Sequence, residues 1–177
     1  MPRIEAAPLD GVLVVHLEPH TDERGRFIET FRQEWFPGAP PMVQASRSDS
    51  RRGVVRALHY HLRQADYWHV PAGRILVALF DLRRSSPTRH RSHTLEIGDG
   101  ADIGVYIPPG VAHGFQALTD ATLTYLVDRY YDASDEYGLA WDDPALGIGW
   151  PIPDVILSGR DKANPRLAEI PDEDLPR

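Results

Sequence analysis

The sequence predicts an all-β fold, a sandwich or a closed barrel, and three observations lead there. Short β-branched or aromatic runs recur at fairly even spacing along the 177 residues. Clusters of Gly, Pro, Asp and Ser separate them. No stretch carries a sustained helical period of apolar residues. Many short strands with this punctuation bury their apolar faces by closing on one another.

The elements follow in order. Val12–Leu17 (VLVVHL) is a β-branched run, and Gly25–Arg32, Met42–Ser50, Val54–His61, Arg74–Leu82, Ile103–Ile107 and Thr122–Tyr131 read as further strands. Side chains alternate between the faces of a strand. Val55, Ala57, His59 and His61 are therefore expected on one face, opposite Val54, Arg56, Leu58 and Tyr60. Two histidines among small apolar residues suggest a strand that lines a pocket. In the last strand, Leu123, Tyr125, Val127, Arg129 and Tyr131 share a face, and a buried tyrosine on such a face is more often a packing residue than a catalyst.

The length suits one domain over residues 1–177. The stretch 162–177 is rich in Pro, Asp and Glu and reads as an extended or frayed tail. There is no cysteine, which excludes disulfides, thiolate catalysis and zinc–thiolate sites. The net charge of −7, from 19 basic and 26 acidic residues, argues against a nucleic-acid partner. A locally basic pocket is still available, because Arg24, Arg26, Arg47, Arg51, Arg52 and Arg56 cluster. No apolar run approaches a membrane span. The first residues lack the basic-then-apolar pattern of a secretory signal, so a cytoplasmic location is expected.

Two constellations carry chemistry. The first runs from Gly53 through His59, His61 and Asp66 to Gly73, and it resumes at Pro108, Gly110 and His113. This spacing resembles the two motifs of the cupins, which place three histidines and a carboxylate around a divalent ion. Imidazoles with one carboxylate suit Fe, Mn, Ni, Cu or Zn. The plainer alternative is that His61 and Asp66 bond each other or solvent.

The second constellation covers most of the chain. Asp22–Glu29 (DERGRFIE), Gly53–Tyr60 (GVVRALHY), Asp81-Leu82-Arg83 with Ser86-Pro87-Thr88, Ile107–Phe115 (IPPGVAHGF), Tyr130-Tyr131, Trp141 to Trp150-Pro151, and Leu157-Ser158 with Asp161 occur in that order. Together they resemble the dTDP-4-dehydrorhamnose 3,5-epimerases. The resemblance implies a cupin-type double-stranded β-helix, a jelly-roll barrel with short peripheral helices. It also implies a cofactor-independent isomerase acting on a dTDP-linked 4-keto-6-deoxy sugar, and a homodimer formed through N-terminal strands, with Val12–Leu17 as a candidate edge. By the same resemblance, His59 falls on the catalytic base, Asp161 on the carboxylate that orients it, and Tyr125 on the catalytic acid. Arg24, Phe27, Glu29, Gln44, Ser46, Arg56, His61, His113, Glu136 and Arg160 fall on substrate-binding positions.

The chemistry asks for these residue types. A C–H beside a ketone is acidic because the carbanion delocalises onto oxygen. Histidine titrates near neutrality and suits the base. An acid on the opposite face inverts the centre, and arginine forks match a diphosphate. The chain departs from the family pattern where the family keeps Gln and Lys after the base. His61 stands at the Gln position, Asp66 nearest the Lys position, and Lys162 is the chain's single lysine. Gln44-Ala45-Ser46 replaces a Gln-x-Asn contact. These changes recreate the cupin metal spacing, so the alternatives are a metal-dependent enzyme using His59, His61, Asp66 and His113 with one divalent ion, or a non-catalytic cupin that binds a sugar nucleotide.

Overall fold

Thirteen strands form the framework of the computed structural model, which describes residues 2–177 and leaves only Met1 of the expected domain outside. They are β1 (Arg3–Ala6), β2 (Leu13–His16), β3 (His20–Asp22), β4 (Gly25–Phe27), β5 (Gln44–Ser50), β6 (Val55–Tyr60), β7 (Asp66–Ala72), β8 (Arg74–Asp81), β9 (Ser92–Gly98), β10 (Ile103–Ile107), β11 (Val111–Ala117), β12 (Ala121–Val127) and β13 (Tyr137–Gly138). One short helix, α1 (Gly159–Ala163), and several 3-10 turns lie at the periphery. A six-stranded sheet runs β1-β2-β10-β7-β12-β5 and a five-stranded sheet runs β13-β6-β11-β8-β9. The two sheets close into the jelly-roll barrel of cupin type that the resemblance implies.

The barrel interior is one apolar cluster drawn from both sheets. Trp68, Val70, Val105, Ile107 and Leu123 come from the larger sheet, and Ile75, Val77, Leu79, Val111 and Phe115 from the smaller. The barrel is also covered on its outside. Phe31, Trp35 and Phe36 pack on the outer face of the larger sheet around Tyr67. The segment from Leu139 to Leu175 packs on the outer face of the smaller sheet, over Val55, Ala57, Leu58, Ala78 and Phe80. Strands sandwiched this way are apolar on both faces and lose the period-two signature. This explains why β7 and β11, both largely buried, were not expected as strands.

Three expectations change. Strand β4 ends at Phe27, so the run to Arg32 is mostly irregular, and β3–β4 stands as an exposed hairpin. Strand β12 ends at Val127, so Arg129 and Tyr131 do not continue its face. The tail is extended but tied down: Leu175 is buried, the Pro176 carbonyl accepts from Arg84 N at 2.8 Å, and the Asp143 carboxylate accepts from Leu167 N at 2.7 Å.

A β-bulge sets the wall of the cavity. On β6 the pairing steps three residues, from Arg56 to His59, while β11 steps two, from Phe115 to His113. The extra residue breaks strict alternation. Val55, Ala57, Leu58 and Tyr60 all join the outer cluster, and Arg56, His59 and His61 all line the cavity. The expected grouping of Val55 and Ala57 with the histidines is thus overturned, because the bulge falls between Arg56 and His59. Gly114 lies opposite the bulge, where an added Cβ would meet the Ala57 Cβ at 2.4 Å and the Arg56 carbonyl oxygen at 2.7 Å. Gly114→Ala is expected to cost about 2 kcal/mol through overpacking, which lowers Tm by roughly 4–8 °C in a chain of this size. Differential scanning calorimetry checks it.

Candidate active site

A cavity of about 230 Å³ opens at one end of the barrel, between the two sheets. Pockets that enclose a drug-sized ligand run to roughly 300–1,000 Å³, so this cavity is smaller than one that encloses such a ligand whole. The smaller sheet contributes Arg56, His59, His113 and Phe115, and the larger contributes Gln44, Asp66, Trp68, Leu123 and Tyr125. Adjoining loops add His61, Gln64, Tyr131, Asp132 and Glu136 to the polar lining.

His59 and Asp161 form the central pair. The imidazole Nε2 lies 2.7 Å from Asp161 Oδ1, across 102 residues of sequence. A carboxylate can only accept, so Nε2 carries the hydrogen and Nδ1 is left as the lone-pair atom of the ring. Asp161 sits buried in the first turn of α1, where Ser158 caps the helix by accepting from Asp161 N at 3.0 Å. Burial pushes the Asp161 carboxyl up, but its hydrogen bond to His59, the His59 charge and the Ser158 hydroxyl together hold it below the ordinary value.

Tyr125 faces this pair from the other sheet. Strand β12 pairs with β5 and β7, so Tyr125 stands opposite Ser46 and Trp68 in register. The cavity therefore has the histidine on one wall and a phenol hydroxyl on the other.

His61, Asp66 and His113 form a third, buried group, with one ligand-type atom of each lying within 4.8 Å of the others. His113 packs edge-on against Trp68 at 5.3 Å. Burial pushes the His113 imidazole down to about 4, against the opposing charge of Asp66. His59 is not a member of this group. The expected four-residue metal cluster thus loses His59, whose ring is turned to Asp161.

The remaining expected residues divide. Gln44, Arg56 and Glu136 line the cavity, and Arg56 is held by Ser50 Oγ at 3.1 Å. Ser46 sits on β5 beside Gln44, whose Nε2 donates to it at 3.3 Å. Arg160 is at the rim, paired with Glu136 at 2.8 Å. Arg24, Phe27 and Glu29 are not brought to this chain's own cavity: Arg24 pairs with Asp22, Glu29 with Arg32, and Phe27 is 65% exposed on the hairpin. Sequence reasoning missed the apolar wall of Trp68, Phe115, Leu123 and Val127 as site residues. Period two from Asp66 and His113 points to Trp68 and Phe115. It also missed Asp135, whose carboxylate accepts from Leu62 N and Arg63 N and whose carbonyl accepts from His61.

Comparison with known proteins agrees with this geometry. A family profile described as dTDP-4-dehydrorhamnose 3,5-epimerase matches residues 6–169. The chain belongs to this family. A spore coat polysaccharide biosynthesis protein of Bacillus subtilis is 38% identical over 146 residues, 80% of this chain and 96% of that one. The dTDP-4-dehydrorhamnose 3,5-epimerase of Methanothermobacter thermautotrophicus is 36% identical over 172 residues, 92% of this chain and 93% of that one. Among solved structures, the dTDP-6-deoxy-D-glucose-3,5-epimerase of Legionella pneumophila, in complex with dTDP-4-keto-L-rhamnose, superposes with a TM-score of 0.94 at 32% identity. It covers 100% of this chain and 98% of that chain.

Within the epimerase family frame, the His59–Asp161 pair makes a pH prediction. A carboxyl whose folded pKa is lowered stabilises the fold above its unfolded value, about 4, and that contribution is lost as pH falls through the lowered value. Wild type is expected to exceed Asp161→Asn in urea unfolding at pH 6, with the gap closing towards pH 3.

Proposed function

We propose that this protein is an isomerase that inverts C3, C5 or both in a dTDP-linked 4-keto-6-deoxyhexose. The observation that carries the mechanism is the placement of His59 and Tyr125 on opposite walls of one cavity. His59 Nδ1 takes the proton from the carbon beside the ketone, and the electron pair of that C–H bond moves onto the C4 oxygen. Asp161 holds the ring through Nε2 and stabilises the imidazolium that results. Tyr125 gives a proton to the opposite face, the enolate collapses to the ketone, and the centre is inverted. Solvent then takes the proton from His59 and returns one to Tyr125. Hydrogen leaves and returns as a proton, so the step balances without a redox or organic cofactor.

The cavity accommodates the sugar, and the nucleoside diphosphate lies at its mouth, where Arg56 and Arg160 supply guanidinium groups and Gln44 and Ser46 supply neutral donors. His61 and His113 line the sugar's side. Arg24, Phe27 and Glu29 point away from their own cavity on and beside the β3–β4 hairpin. Their role as substrate contacts is met if the hairpin reaches the site of a second copy, in a homodimer. Among the described residues no helix is long and apolar enough to cross a membrane. We place the enzyme in the cytoplasm, with no nucleic-acid or membrane partner.

Two measurements test this reading. In deuterated water with dTDP-4-keto-6-deoxyglucose, wild type is expected to incorporate deuterium at C3 or C5 with inversion. His59→Ala is expected to lose about 10²–10⁴ of that rate. Tyr125→Phe is expected to admit deuterium while losing inversion. Wild type that binds the nucleotide sugar without exchanging any hydrogen would sink the proposal. Sedimentation is expected to give a dimer, and a monomer at assay concentration would overturn the shared-site role of Arg24, Phe27 and Glu29.

A further inference from the structure

The three groups His61, Asp66 and His113 present only acceptors to one another. His61 Nδ1 lies 2.6 Å from the Asp135 carbonyl oxygen, and His113 Nδ1 lies 3.0 Å from the Val111 carbonyl oxygen. A carbonyl accepts, so each Nδ1 carries its ring's hydrogen and each Nε2 presents a lone pair. The carboxylate between them has its donors elsewhere: Gln64 Nε2 at 2.9 Å on Oδ1 and Trp68 Nε1 at 3.1 Å on Oδ2. His113 Nε2 stands 3.9 Å from Asp66 Oδ2, too far for a hydrogen bond. Two bare imidazole nitrogens and a carboxylate thus converge, buried, with no donor between them. All three residues line the cavity, and a cation placed among them engages both imidazole lone pairs and the carboxylate at once.

We propose that His61, Asp66 and His113 bind one divalent transition-metal ion in the wall of the cavity, separate from the proton-transfer pair. The surrounding bonds have the form that metal sites require. Each ring donates its other nitrogen to a backbone carbonyl, which fixes tautomer and orientation, and the ligating carboxylate is itself hydrogen-bonded. Two imidazoles and one carboxylate select a first-row transition ion such as Zn²⁺, Fe²⁺, Mn²⁺ or Co²⁺ over Mg²⁺ or Ca²⁺. At a metal–ligand distance of about 2.1 Å the ligand atoms sit roughly 3.0–3.4 Å apart, so a separation at the present limit of 4.8 Å closes by roughly 1.4–1.8 Å on the ion.

Three protein ligands leave open positions, and all three residues line the cavity. The use of the site, as distinct from its existence, rests on the epimerase reading. The enolate oxygen needs a cation or a donor. Lys162, the chain's single lysine, is exposed and does not line the cavity. The ion would supply the positive charge as a Lewis acid on the ketone oxygen. His59 stays free to act as base, because Asp161 and not the ion holds its Nε2.

The test uses untagged protein, stripped by chelation and titrated with Co²⁺ by visible absorption and calorimetry, with elemental analysis of the protein as purified. One ion per chain is expected in wild type and in His59→Ala, with binding lost in His61→Gln and in the isosteric Asp66→Asn. Trp68→Phe, which removes the indole hydrogen bond to Asp66 together with part of the ring packed on His113, is expected to weaken binding about 10- to 100-fold. Wild type that is folded yet takes up no Co²⁺ overturns the site. So does uptake that is unchanged in His61→Gln and Asp66→Asn. Deuterium exchange on the same samples separates the two proposals. Full exchange by metal-free wild type overturns the Lewis-acid role. Metal-loaded wild type that shows no exchange overturns the epimerase reading and leaves the metal site standing.

Discussion

The extra residue in β6, accommodated by the missing side chain of Gly114, is the constraint on which the site rests. A regular strand would turn Arg56 and His59 to opposite faces of the sheet. With the bulge they share the cavity, and Ala57 and Leu58 can both face the outer cluster beneath the C-terminal segment. The same displacement brings His59 next to α1, where Asp161 waits. The packing of the outer face and the chemistry of the inner face are therefore one solution, and a change in either strand moves both.

The cavity holds two carboxylate–imidazole arrangements side by side, with His59 and His113 as cross-strand partners in the smaller sheet. In one, Asp161 orients a single imidazole. In the other, Asp66 faces two imidazoles whose hydrogens are committed to backbone carbonyls. The first arrangement suits proton movement, because one ring nitrogen is left free. The second suits a fixed charge, because every inward atom is a lone pair. Trp68 packs edge-on against both His113 and Phe115, an apolar wall that keeps the local dielectric low beside the Asp66 group.

Much of this was legible in the sequence, for physical reasons that differ by element. Val12–Leu17, Arg74–Leu82 and Ile103–Ile107 were visible as strands because their β-branched residues declare them. Strands β7 and β11 were hidden because coverings on both faces erase alternation, although their His and Asp residues stood out as motif positions. The exposed hairpin was overread, since Phe27 looks like a strand residue yet is largely exposed, and Ile28 packs on the outer cluster from irregular chain. The tail was underread, because Leu167, Ile170 and Leu175 are sparse among prolines and acids, yet each finds the outer cluster. Where a motif carried them, as with His59, Tyr125 and His113, the named residues are ones the fold brings to a single cavity. The pairing of His59 with Asp161 came only through the family resemblance, because no local pattern links positions so distant. The bulge left no signal except Gly114 itself.

That distance has a consequence for how the enzyme comes into being. Synthesis proceeds from the N-terminus, and domains fold as their parts emerge. Most strands of the barrel are complete by Val127, so a nascent chain can assemble much of its framework while Asp161 is still unmade or confined within the ribosome. His59 then lines a cavity with no carboxylate behind it. The His59–Asp161 hydrogen bond, and the covering of the smaller sheet's outer face by the segment from Leu139 to Leu175, are thus the last parts of the structure that synthesis makes available.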